Sequence, residues 1–281
     1  MKKSLLEIHG AVLLFGLAGL FGKIVLLPAW SIVLGRVIFA SLFLLIIIKY
    51  RGNSLKIDKG IKQRTLIALG ILLAIHWVTF FHSIQISTVA IGLLTFSTFP
   101  IFVTFLEPIL FKEPFKKSNI IVALITFSGV AMVVPTIEVS NNITQGVFWG
   151  IISGLTFAIL SLLNRKAVKH CSSLTIAFYQ NSIATLFLLP IIFVIDQAPT
   201  IKDIALLALL GVVFTALAHT LFINSLKNIK TQTASIIACL EPVYGIVAAM
   251  IILHEIPSER ETIGMIIIFS TVLYSTIQSK R

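Results

Sequence analysis

The sequence predicts an all-α integral membrane protein of ten transmembrane helices, arranged as two inverted five-helix repeats. Three observations carry that expectation. The composition is too apolar for water, ten apolar runs of spanning length alternate with breaks that are basic on one side only, and the chain matches itself at an offset of 142 residues.

Of the 281 residues, 57% are apolar and 12% charged, and the mean hydropathy is +1.03. Soluble domains carry about a quarter of their residues as Asp, Glu, Lys and Arg, so the solvent implied here is lipid. The net charge of +11 would suggest nucleic acid if the basic residues shared one soluble face. They sit instead in short breaks between apolar runs, and no nucleic-acid partner is expected. Two cysteines, Cys171 and Cys239, are too few for a disulfide framework or a metal site. Lys2 and Lys3 precede an apolar stretch that resembles a signal peptide, but the stretch ends at Leu27-Pro28 without a small-x-small site and reads as a retained first span.

A hydrocarbon core of about 30 Å takes about 20 helical residues. Runs of that length lie near 8–27, 30–48, 65–85, 88–111, 118–135, 144–163, 173–195, 203–223, 232–253 and 260–278. They are apolar on every face, unlike the alternating ten-residue strands of a barrel. With the N-terminus inside, the inner segments collect 18 of the 22 basic residues, among them Lys49 to Arg64, Lys112 to Lys117 and Arg165 to Lys169. Lys202 and Arg260 fall outside, and Lys23 and Arg36 lie within spans. Short cytoplasmic loops are the ones enriched in Lys and Arg, so the split predicts a multi-pass protein of the inner membrane with both termini cytoplasmic.

The 142-residue offset pairs Ala74 with Ala216, Phe80 with Phe222, Ser83 with Ser225, Pro100 with Pro242, Glu113 with Glu255, Phe127 with Phe269, Ser128 with Ser270 and Val130 with Val272. It divides the chain into repeats at residues 1–137 and 138–281. Because five is odd, the second repeat enters the membrane from the opposite side, an arrangement that places a substrate site between the repeats near the midplane. Pro100 and Pro242 are the candidate hinges: each lies deep in a span and withholds a hydrogen bond from the carbonyl four residues back, Phe96 or Ala238.

The segment Ala90 to Glu113, with small and hydroxyl residues leading to Phe99-Pro100 and a terminal Glu, has a counterpart in Ala234 to Glu255 with Leu240-Glu241-Pro242. Together with Leu34-Gly35-Arg36-Val37 and the Phe15-Gly16 to Lys23 stretch, these resemble the EamA-type drug/metabolite transporters. The resemblance covers the whole chain. It implies a ten-helix carrier, an exporter of small metabolites such as amino acids, with a cavity lined by the first four helices of each half and the fifth and tenth peripheral.

A charge at the bilayer centre costs about 2.5–3.5 kcal/mol on insertion scales, so such residues face the bundle interior. Four stand out: Lys23, Arg36, Glu107 and Glu241. Lys23 and Glu107, each about a turn from a membrane surface, also fit snorkelling to the interface; Arg36 and Glu241 lie deeper, where the other reading is a structural ion pair. Arg36, whose guanidinium suits a carboxylate or phosphate, is the leading substrate-binding candidate. Lys23, the aromatic Trp77 and Phe81, the polar run Tyr179, Gln180 and Asn181, His219 and Tyr244 complete the substrate-binding set. Glu241 is the proton-coupling candidate, with a proton as the coupling partner. His219 coincides with Trp77 at the repeat offset, and Gln180 falls near Arg36 when a small gap is allowed.

No Gly-rich loop of the nucleotide-binding type is present, so ATP does not drive the chain directly. An embedded enzyme would need a nucleophile with its base or an HExxH metal motif, and the spans hold neither. No histidine pair has metal-ligand spacing with a carboxylate, and no cofactor is expected. A passive facilitator or sensor is the further alternative; the leading reading is a secondary carrier working by alternating access.

Overall fold

A computed structural model describes residues 2–52, 54–57, 60–112, 117–133, 141–194 and 198–279. Lys59, Glu113, Lys116, Lys280 and Arg281, used above for topology or repeat, lie outside these residues. Fourteen helices follow in order: α1 Lys2–Ala18, α2 Phe21–Ile24, α3 Ala29–Tyr50, α4 Gln63–Ile86, α5 Val89–Phe96, α6 Phe99–Phe111, α7 Lys117–Val133, α8 Asn142–Ala167, α9 Ser173–Leu188, α10 Ile201–Gly211, α11 Ala218–Ser225, α12 Thr231–Ala238, α13 Glu241–Ile252 and α14 Glu259–Ser279. A 3-10 turn at Leu189–Val194 extends α9, and a π-helical turn at Val212–Leu217 joins α10 to α11.

Eight segments among the described residues are long and apolar enough to cross a membrane: α1–α2, α3, α4, α5–α6, α8, α9 with its 3-10 turn, α10–α11 and α12–α13. α7 and α14 occupy the fifth and tenth runs read from the sequence, but do not meet the same length and hydropathy standard. The first span sits at Lys2–Ile24, several residues earlier than the apolar run suggested.

Starts and stops follow local chemistry. Asn141 and Ser172 accept hydrogen bonds from the backbone N–H of Ile143 and Thr175 to begin α8 and α9, and Thr200 with Asp203 forms a reciprocal box ahead of α10. Helix α5 ends at Phe96 and α12 at Ala238, the carbonyls that Pro100 and Pro242 cannot bond. Both prolines then lie in the first turn of the resumed helix, where an N–H has no intrahelical acceptor in any case.

The 142-residue repeat is therefore written in the backbone as well as in the sequence. α5 and α12 are eight residues each, beginning at Val89 and Thr231, and α6 and α13 resume at Phe99 and Glu241. The non-glycine residues with positive φ among those described are Lys112 at 53° and His254 at 55°, again 142 apart. A left-handed residue closes a helix by feeding its N–H back to the preceding turn. Here Lys112 N–H reaches the Pro108 carbonyl.

Packing between the halves repeats with the halves exchanged. α4 lies on α8 and α9, while α10 and α11 lie on α3 and α1. α5 and α6 pack on α8, and α13 and α12 on α1; α3 meets α9, α5 meets α13, α6 meets α12, and α7 pairs with α14. Small residues permit the closest crossings, as in membrane bundles generally. A Cβ on Gly16 would lie 2.6 Å from the Glu241 carbonyl oxygen, and one on Gly154 would lie 3.0 Å from the Phe96 carbonyl oxygen. Each thus brings the first helix of one repeat against the broken helix of the other.

Candidate functional site

At the centre of the bundle, helix α3 delivers Arg36 into a setting with no access to solvent. Its Nε–H donates to Thr215 Oγ1 at 2.8 Å and its Nη2 to the Phe214 carbonyl at 3.3 Å. Both acceptors belong to the π-helical turn, whose wider winding presents Thr215 so that its own hydroxyl donates to the Leu210 carbonyl five residues back. Single π turns inside helices often mark functional positions. The guanidinium carbon lies 3.5 Å from the Trp77 ring centroid and 5.3 Å from that of Phe81, a cation–π geometry. Arg36 makes no ion pair among the described residues, so the ion-pair alternative is not the arrangement found.

Trp77 and Phe81 stack 5.8 Å apart, and Trp77 also meets His219 at 5.6 Å and His76 at 4.7 Å. Phe15 from α1 approaches His219 at 5.0 Å and Phe222 at 5.8 Å, and Phe157 from α8 closes the far wall against Phe222 and His76. Both repeats contribute to this aromatic enclosure. Within it, Arg36 Nη1, Trp77 Nε1 and both ring nitrogens of His219 are buried without a hydrogen-bond partner among the described residues. Buried polar groups are normally paired, because leaving one unpaired costs about 1–3 kcal/mol. Such unpaired polar atoms beside aromatic faces suit a ligand that combines polar and flat parts.

Glu241 is buried at the first position of α13, with Oε2 also unpaired. Its carbonyl abuts Gly16, the residue next to Phe15, so one turn of α1 links Glu241 to the aromatic enclosure. Tyr244 flanks the same crossing and is half-buried. Lys23 does not pair with Glu241: its Nζ donates to the Ser87 carbonyl at 2.7 Å and approaches that of Gln85 at 3.4 Å, at the C-terminal end of α4. It lines an open pocket of about 450 Å³ with Gly22, Leu27, Pro28 and Gln85.

The polar run on α9 divides. Gln180 is buried and donates to Asn164 of α8, with its Oε1 unpaired; Asn181 Nδ2 turns back to the Ala177 carbonyl. Tyr179 spends its hydroxyl on the Leu55 carbonyl, outside the aromatic enclosure. Glu107, which suggested snorkelling, is buried; it bonds Arg165 of α8 and the N–H groups of Thr231 and Gln232. Its position along α6 says nothing of α8 and α12 folding over it. Sequence reading did not single out Phe157, Thr215 or Asn164 for the site. A hydroxyl inside an apolar run was the available signal for Thr215, whereas Asn164 falls just past the 144–163 run.

Comparison with known proteins gives a consistent result. The model of the "EamA-like transporter family" matches twice, at residues 2–134 and 144–277. An uncharacterized transporter of Bacillus subtilis is 26% identical over 279 residues, spanning 95% of this chain and 88% of its own. An S-adenosylmethionine uptake transporter of Rickettsia conorii is 23% identical over 256 residues, spanning 91% and 85%. A solved crystal structure superposes with a TM-score of 0.76 at 14% identity, covering 100% of this chain and 99% of that one, and so shares the fold.

Proposed function

Because the chain belongs to the EamA-like transporter family, whose domain it carries twice, we propose that it is a secondary carrier of small metabolites that works by alternating access around the Arg36–Trp77–His219 centre. In this reading all ten helical segments cross the membrane and the repeats are inverted, at residues 1–137 and 138–281, with both termini cytoplasmic in the inner membrane. The exchange of packing partners between the halves supports a two-fold relation between them, and five spans per repeat, an odd number, would put its axis in the membrane plane. Pro100 and Pro242 follow the two helix breaks that would serve as hinges. The transporter names of the relatives favour this class over an embedded enzyme.

The observation that carries the reading is the set of unpaired atoms on Arg36, Trp77 and His219 inside a shared aromatic enclosure. A guanidinium with one free Nη suits a carboxylate, and the aromatic walls suit a ring or an apolar side chain. An amino acid or a related metabolite combines both. Export is the direction implied by the resemblance to the drug/metabolite exporters; uptake is the alternative favoured by the Rickettsia relatives, whose named substrate also carries a carboxylate and an aromatic base. Glu241 is the proposed proton-coupling group; Gln180 and Asn181, each with an unpaired side-chain oxygen, and Tyr244 are the further proposed substrate contacts, whereas Lys23 and Tyr179 spend their polar groups on backbone carbonyls.

The test is counterflow in proteoliposomes with a panel of amino acids, nucleosides and cationic dyes. Arg36→Lys keeps the charge but loses the planar fork, and transport of the accepted substrate is expected to fall at least about tenfold with the melting temperature retained. Wild-type rates in Arg36→Lys and Arg36→Ala would assign Arg36 to structure alone.

A further inference from the structure

Two short helices, one from each repeat, begin at opposite membrane ends with carboxylates of the other repeat on their N-termini. The first backbone N–H groups of a helix have no partner within it. At α12, Lys230 makes no capping bond, and Glu107 of α6 takes the role: Oε1 accepts from Thr231 N–H and Oε2 from Gln232 N–H, both at 3.0 Å. Arg165, at the end of α8, adds an ion pair to the same carboxylate. At α5, Glu255 Oε2 accepts from Val89 N–H at 3.0 Å, and Thr88 Oγ1 donates to Glu261 Oε1 at 2.9 Å. Glu107 lies near the far end of the Val89–Phe111 segment from Val89, so the two contacts close opposite faces of the bundle.

We infer that these contacts are alternating latches between the repeats. Opening the bundle at one face requires Glu107 to leave the start of α12; opening it at the other requires Glu255 and Glu261 to leave the start of α5. The inference rests on the alternating-access reading and adds to it the groups that hold each mouth shut. The latches differ in strength for a reason visible in the repeat. Thr88 caps its own helix through the Ile91 N–H, whereas the residue 142 later is Lys230, which does not. When Glu107 departs, α12 loses two hydrogen bonds to a charged acceptor and Arg165 loses its ion pair. When Glu255 departs, α5 keeps its Thr88 cap. The Glu107 face is therefore the harder one to open, and the resting carrier opens preferentially at the Glu255 face.

The experiment uses the full chain in proteoliposomes with Cys171→Ser and Cys239→Ser, and single reporters at Ser235→Cys on α12 or Ala90→Cys on α5, both buried in the closed bundle. Maleimide labelling rates report each mouth. Glu107→Gln is expected to raise labelling at the Ser235→Cys reporter about tenfold, the size of one lost charge-assisted bond, and to lower it at the Ala90→Cys reporter. Glu255→Gln with Glu261→Gln should do the reverse by a smaller factor. Should Glu107→Gln fail to fold, Arg165→Gln and Lys230→Thr carry the test, since neither removes the carboxylate. Arg165→Gln should shift labelling in the same direction, and Lys230→Thr, which copies the Thr88 cap, should also favour opening at the Glu107 face. No shift at either reporter in any variant would overturn the latches. A rise at both reporters together would overturn alternating access itself.

Discussion

His76 and His219 lie against the same Trp77 ring, on helices of opposite repeats, and both are buried. Their hydrogen bonding is opposite. His76 Nδ1 sits 2.9 Å from Ser153 Oγ and 3.2 Å from the Ser153 carbonyl, while neither nitrogen of His219 has a partner among the described residues. The same contrast separates the two buried glutamates: Glu107 bonds to Arg165, Thr231 and Gln232, whereas Glu241 Oε2 is unpaired. Burial alone therefore does not mark a functional group here. Saturated polar groups hold helices together, whereas the unpaired atoms of Arg36, Trp77 and His219 meet in the proposed ligand site.

The largest expected effect concerns Glu241. Glu241→Gln removes the ionisable group while keeping its size, and the variant should bind and exchange substrate but lose net flux driven by an imposed pH gradient, measured in proteoliposomes. An unchanged dependence on that gradient would break the contrast with Glu107 and make His219 the next coupling candidate.

Next in size is His219→Leu, which deletes two unpaired nitrogens and puts an apolar side chain in their place. Transport is expected to fall about tenfold, the value of roughly one hydrogen bond to ligand, with the melting temperature of the purified protein unchanged or raised. A lower melting temperature with normal transport would place His219 with His76 in the framework.

The repeat was legible in the sequence because proline spacing survives divergence: Pro100 and Pro242 dictate where α5 and α12 must stop, whatever surrounds them. Arg36 was legible because a charge deep in an apolar run needs a reason. The rest depended on which helices meet. Phe15 and Phe157 are two of 21 phenylalanines, and only the crossings at Gly16 and Gly154 bring them to the centre. The π turn at Thr215 leaves no mark on hydropathy, and Glu107 looked peripheral along its own helix because α8 and α12 supply its enclosure. Fifth and tenth helices were anticipated at 118–135 and 260–278, and α7 and α14 lie there, though neither is among the eight described segments long and apolar enough to cross a membrane.

The smallest effect is expected at Ser153, where the contrast can be tested without touching a candidate ligand group. Its hydroxyl bridges α8 and α4, reaching His76 Nδ1 at 2.9 Å and the His76 carbonyl at 3.2 Å. Ser153→Ala removes this neutral bridge but leaves the Ser153 backbone carbonyl, 3.2 Å from the same ring nitrogen. His76 therefore retains one partner, and the loss should approach the net value of a single neutral hydrogen bond, about 1 kcal/mol, rather than the larger cost of an orphaned ring. Thermal unfolding in detergent should register a modest drop in melting temperature, while the substrate affinity measured by counterflow stays at the parent value because Ser153 faces α4 and not the unpaired atoms. If Ser153→Ala instead weakened substrate affinity as much as His219→Leu, His76 would belong to the ligand site, and hydrogen-bond saturation would no longer separate framework from function in this bundle.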